Sequence, residues 1–106
     1  MTRAMLCSLL VTLLAAPVAD AFSRDVVVQI YSDHVRPRNV LLSKGDTVVF
    51  HYRSERPGGV LVLVDGSGQS PPMKKNQSWE RSFWETRRYE YYMKDRPSLR
   101  GRVTVR

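Results

Sequence analysis

Hydrophobic and polar positions follow one another along most of the chain in short runs with the period of a β-strand, separated by turn residues. Val26 to Tyr31 is β-branched and aromatic and is bounded by Asp25 and Asp33. Asn39 to Ser43 forms a second run, entered from Pro37 and stopped by the turn sequence Lys44-Gly45-Asp46. Thr47 to Tyr52 follows at once, so these two runs are expected to pair across that turn. Pro57-Gly58-Gly59 then separates them from Val60 to Val64, a continuous apolar run of the kind expected of a strand covered on both faces. Asp65 to Gln77 is irregular, with two glycines, paired prolines and Lys74-Lys75. Trp79 to Phe83 alternates again, and Tyr89 to Met93 and Arg102 to Val105 close the chain. About seven short strands with no helical period predict an all-β, antiparallel sandwich or barrel. There is no internal repeat and no low-complexity segment.

The first residues break this pattern. A single early charge, Arg3, precedes Met5 to Ala16, which is apolar apart from Ser8 and Thr12. Pro17 follows, with Ala19 and Ala21 at the small-residue positions that a signal peptidase requires. Residues 1–21 are therefore expected to be a secretory signal peptide cleaved after Ala21, leaving one domain at 22–106 in the periplasm or outside the cell. A transmembrane anchor needs about 20 apolar residues; Pro17 and Asp20 interrupt the run first, so no span is expected after cleavage. The only cysteine, Cys7, leaves with the leader. The mature domain of roughly 85 residues must then rely on its apolar core without a disulfide, and it offers no thiolate.

Charge narrows the partners. Lys and Arg total 17 against 10 Asp and Glu, a net charge of +7. The leader holds one Arg and one Asp, so the whole excess stays on the domain. A negatively charged partner is expected: another exported protein, or an anionic surface of acidic lipid headgroups or glycans. Aromatics interleaved with arginine from Trp79 to Tyr92 could form a stacking platform for nucleic acid. Strand parity instead places Tyr89, Tyr91 and Met93 on one face and Tyr92 on the other, and an exported chain meets little nucleic acid, so that partner is not expected. Trp84, at a turn, is the aromatic expected to be exposed. The chain has no Ser-His-Asp grouping, no paired carboxylates and no phosphate loop, so it does not read as an enzyme.

The order of these pieces resembles the cupredoxin family, of the plastocyanin and amicyanin kind. Val35-Arg36-Pro37 stands at the family's apolar-x-Pro, and Gly45-Asp46-Thr47-Val48 followed by Phe50 resembles the strand that leads to the first copper ligand. Tyr89-Glu90-Tyr91-Tyr92, then Pro97, Gly101, Val103 and Val105, match the closing strand, ligand loop and final strand. The resemblance implies a Greek-key β-sandwich of about seven strands.

It also implies where copper ligands would stand, and in this chain those positions hold Gly58, Met93, Arg96 and Leu99. A blue-copper site takes two His, one Cys and a weak axial Met. Gly58 has no side chain to coordinate, Met93 offers a neutral thioether, Arg96 a permanent cation and Leu99 only an alkyl group. The resemblance with these replacements leads to an expectation of no cofactor and no metal, and of a binding or accessory module that uses this pole for interaction. A cluster of Arg53, Arg56, Arg96 and Arg100 near the pole would receive a carboxylate or phosphate, because a guanidinium pairs with either in a bidentate way. The alternative is a copper carrier or Cu(I) chaperone built on His34, His51, Met73 and Met93, since imidazole and thioether suit Cu(I); no metal-ligand spacing supports it. His51, in a strand opposite Tyr52, reads as a half-exposed surface residue, and His34 as a solvated one.

Overall fold

In the computed structural model, which describes residues 23–106, the chain forms eight strands: β1 (Asp25–Ile30), β2 (Val35–Arg36), β3 (Asn39–Leu42), β4 (Thr47–Tyr52), β5 (Leu61–Leu63), β6 (Ser78–Ser82), β7 (Arg88–Met93) and β8 (Arg96–Val105). The expected leader at residues 1–21 lies outside the described residues. The strands make two four-stranded sheets, ordered β2-β1-β4-β6 and β3-β8-β7-β5. No helix among the described residues is long and apolar enough to cross a membrane.

Alternation dictates what each sheet buries. Val28, Ile30, Val48, Phe50 and Tyr52 point inward from the first sheet. Leu61, Leu63, Tyr89, Tyr91, Met93, Leu99, Val103 and Val105 point inward from the second. The layers interlock through aromatics: Phe50 meets the Tyr91 ring edge-on at 5.0 Å between centroids and stacks on Trp79 at 5.7 Å. At about 1.5–3 kcal/mol for each large apolar side chain taken from water, this shared core is what holds a domain without disulfides together.

Three expectations about the strands are corrected. The runs flanking Lys44-Gly45-Asp46 do not pair with each other. β3 pairs in parallel with β8, whereas β4 lies in the other sheet between β1 and β6. The turn therefore carries the chain from one layer to the other. Gly45 takes φ 89°, which a side chain would resist, and the buried Asp46 carboxylate accepts the amides of Ser43 at 3.0 Å and Arg24 at 2.9 Å. Nor is the pairing wholly antiparallel, since β1 and β4 also run parallel. The Val60–Val64 run is not covered on both faces: β5 is an edge strand, and Val64 is 60% exposed.

Candidate functional site

Three connections meet at the end of the sandwich where β1, β4 and β7 finish. The first is the Tyr31–His34 turn between β1 and β2, closed by the Tyr31 amide donating to the His34 carbonyl at 2.8 Å. The second runs from Arg53 to Gly59, beginning with the Arg53 amide on the Ile30 carbonyl at 2.7 Å. The third is Lys94-Asp95, which joins β7 to β8; Met93 still pairs with Arg96 across it, next to a bulge at Tyr92/Met93. The segment expected to be a loop from Met93 to Leu99 is thus two residues of turn followed by strand.

These connections are tied by polar contacts. Ser32 and Ser54 hydroxyls lie 3.0 Å apart, the Arg56 amide donates to the Ser54 hydroxyl at 3.1 Å, and the Tyr52 hydroxyl donates to the Arg56 carbonyl at 2.6 Å. Arg96, half-buried, donates from its guanidinium to the Ser32 carbonyl, 64 residues away in sequence. Between them lies a recess with about 10 Å³ of free space. Met93 and Leu99, both buried, border it from β7 and β8; Arg56, Asp95 and Arg96 border it from the turns.

The structure brings some of the expected residues together and separates others. Met93, Arg96, Leu99 and Arg56 share the recess. Arg53 stands beside it, its guanidinium 5.9 Å from the centre of the Tyr31 ring and 3.3 Å from the Gln29 carbonyl oxygen of its amide side chain. Gly58 is held on the neighbouring side by its amide on the Met73 carbonyl at 2.9 Å, with φ 86° and open space where a Cβ would point. Arg100 lies on the outer face of the second sheet, opposite Tyr92, because it alternates with inward Leu99 and Gly101. Ser32, Ser54 and Tyr52, which do the tying, carry no local sequence signal beyond the inward parity of Tyr52.

The histidines do not converge. His34 stacks on Tyr31 at 4.5 Å and shares a 2.7 Å hydrogen bond with Asp33, while His51, on β4, is bonded to the Ser78 hydroxyl at 2.8 Å. The His34 ring, with a lesser contribution from the charge of Arg96, holds the Asp33 carboxyl below the usual carboxylate range. Met73 is buried against the Gly58–Gly59 backbone. Among the described residues, no three His, Cys, Asp or Glu side chains gather as a metal group. The recess offers a thioether, a guanidinium and an alkyl group, and that donor set does not fit a type 1 copper centre.

Two mixed four-stranded sheets packed face to face, with parallel pairs at β1–β4 and β3–β8, define a Greek-key sandwich with a tied pole. No protein-family model matches the chain. It is 33% identical over 95 residues to amicyanin from Paracoccus denitrificans, covering 86% of this chain and 70% of amicyanin. Among solved structures, an amicyanin proline-to-glycine variant in its reduced Cu(I) form at pH 4 is 29% identical with a TM-score of 0.67, covering 77% of this chain and 82% of that one. A purple cupredoxin from Nitrosopumilus maritimus is 25% identical with a TM-score of 0.68, covering 77% of this chain and all of that one (100%). The chain belongs to the cupredoxin family.

These relatives correct one expectation. The reading of no cofactor does not stand, because the family includes a protein solved as its Cu(I) form. The physical reason is that losing a type 1 donor set is not losing every copper donor. Thioether and imidazole groups suit Cu(I) as a class, although His34 and His51 do not gather with Met93 in this structure.

Proposed function

We propose that this cupredoxin-family chain is an exported binding module and that its tied pole is the surface through which it engages another exported protein. One observation supports the reading above others: Arg56 and Arg96 stand at the rim of one recess over buried Met93 and Leu99, with Arg53 beside them on Tyr31. The three guanidiniums present forked donors to a carboxylate-bearing partner, and the buried Met93 and Leu99 support them from beneath. The Arg96 bond to Ser32 holds two of the three connections in one arrangement, so the surface is preorganised. Fold alone does not name the partner. The leader expected at residues 1–21 is the basis for placing that partner outside the cytoplasm.

A photo-crosslinking residue at position 56 tests this, with the same residue at position 82, on the outward row of β6, as reference. A discrete adduct with one exported protein from position 56 only, weakened when Arg53 is changed to Glu, is the expected result. Equal adducts from both positions, or none from position 56, would overturn the reading. Titration of the purified protein with Cu(I) and with Cu(II) is run in parallel. Stoichiometric submicromolar uptake that is lost in Met93→Leu would replace docking by metal carriage as the role of this pole.

A further inference from the structure

We infer that the outer face of the second sheet is a separate site for an acidic glycan, a chain of sugar rings bearing carboxylates. Strand parity builds this face. Arg88, Glu90 and Tyr92 point outward from β7, and Arg100, Arg102 and Thr104 point outward from β8, in the register Tyr92–Arg100, Glu90–Arg102 and Arg88–Thr104. Asn39 on β3 pairs with Arg102 and extends the row. A recess on this face is lined by Arg38, Asn39, Glu90, Tyr92, Arg100 and Arg102 among others.

The charge is one-sided. The guanidiniums of Arg38, Arg88 and Arg100 have no acidic partner and no side-chain hydrogen bond among the described residues, and Arg102 reaches Glu90 only at 3.8 Å. The pole, by contrast, engages two of its arginines with neutral acceptors, Arg53 with the Gln29 side chain and Arg96 with the Ser32 carbonyl. On one strand, outward side chains recur at about 6.6–7 Å, so Arg100 and Arg102 present two forks side by side along one line of this face. Each fork takes a carboxylate in a bidentate way.

The neutral members of the recess choose among anions. Tyr92 is half-buried and directly across the strands from Arg100, and its ring gives a sugar ring an apolar face to lie on. Asn39 and Glu90 accept hydrogen bonds, and hydroxyls are what a glycan has to donate. A sheet of lipid phosphates has few such donors. The recess is also concave, where a bilayer surface is flat.

Polygalacturonate, binding to the purified full chain, is the probe, measured by titration calorimetry with neutral dextran as control. Binding is expected with polygalacturonate only, weakening steeply at about 0.5 M salt, as screened contacts do. Arg100→Ser with Arg102→Ser should weaken it by about tenfold or more, and Tyr92→Ala several-fold at unchanged net charge. Thermal unfolding confirms that each variant is folded, and Arg100→Ser alone serves if the pair is not. Arg53→Glu, at the pole, should leave this binding unchanged while weakening the partner adduct from position 56, so the two readings fail separately. Equal binding of polyglutamate would overturn the inference in favour of an acidic peptide. Binding to mixed phosphatidylcholine and phosphatidylglycerol vesicles without binding to polygalacturonate would overturn it in favour of lipid. Binding to none of these, or no effect of Tyr92→Ala, would end it.

Discussion

Tyr91→Phe should make this protein more stable. Among the described residues Tyr91 is the largest fully buried side chain, packed edge-on against Phe50, yet its hydroxyl has no hydrogen-bond partner among them. The ring reaches across Gly101, where a Cβ would meet the hydroxyl oxygen at 2.3 Å, Cζ at 2.6 Å and the Arg38 carbonyl at 2.7 Å. A buried hydroxyl without a partner costs about 1–3 kcal/mol. Removing it keeps the ring and its Phe50 contact but leaves a void of one oxygen atom, which takes back up to about 1 kcal/mol. The expected net gain is about 1 kcal/mol, or a Tm rise of roughly 4–8 °C for a domain of this size.

The same hydroxyl gives the prediction a second reading in alkali. Burial pushes its pKa above the usual tyrosine range, while the unfolded chain ionises near 10. A pKa raised by folding contributes stability that is present below the unfolded value and lost as the pH climbs past it. The wild-type protein should therefore lose stability above about pH 10, and Tyr91→Phe should flatten that limb. Urea unfolding at neutral and alkaline pH measures both effects. Loss of more than about 1 kcal/mol in Tyr91→Phe, with an unchanged alkaline limb, would refute the reasoning and mean that the hydroxyl has an acceptor. Gly101→Ala should cost about 3 kcal/mol. Tyr91→Phe should rescue it only in part, because the clash with the Arg38 backbone remains.

The other predictions concern the turn, the pole and the core. Asp46 accepts two backbone amides, from Arg24 first and then Ser43, and these hold its pKa below the ordinary value. Its contribution is present above the unfolded pKa of about 4 and is lost as the pH falls through the lower folded value, so Asp46→Asn should lower the urea midpoint at neutral pH and flatten its acid limb. Arg96→Met removes the charged donor to Ser32, and since Arg96 is half-exposed the loss should be about 1–2 kcal/mol. An unchanged Tm would mean that the bond does not hold the pole. Phe50→Ala, at 0% exposure, should cost about 3–5 kcal/mol by thermal unfolding, whereas Val27→Ala, 50% exposed on the outer face of β1, should stay within about 0.5 kcal/mol.

The strands were legible because alternation is a local signal, and a half-buried sheet imposes it wherever it runs. Burial in β4 and β7 follows the letters of the sequence, with Phe50 and Tyr52 inward and His51 at the surface, and Tyr89, Tyr91 and Met93 inward and Tyr92 outward. Trp84, at its turn, is 69% exposed. Which sheet a strand joins was not legible at Lys44-Gly45-Asp46. A tight hairpin and a crossover between layers can use the same glycine at positive φ. The choice was settled by the pairing of β3 with β8, some sixty residues further on.

Which of the named arginines share the pole was only partly legible, and Arg100 and Arg96 show why. Placing Arg100 at the pole followed from its nearness to Arg96 along a segment taken, by resemblance, as a loop. Within a strand, nearness along the chain means less than parity. From Leu99 through Gly101, Val103 and Val105, every second residue faces the core, and Arg100 is sent to the opposite face together with Arg102. Gly101 hides this parity in the sequence, because its missing side chain is what admits the Tyr91 ring and so erases one apolar letter from the pattern. Arg96 shows the complementary limit. Its residue type announced an anion or solvent, but its acceptor is the Ser32 carbonyl, a backbone atom that no side-chain pattern encodes. A permanent cation that is satisfied by a neutral carbonyl keeps its charge available. The arginine that ties the pole therefore still contributes a full positive charge to the surface proposed for docking.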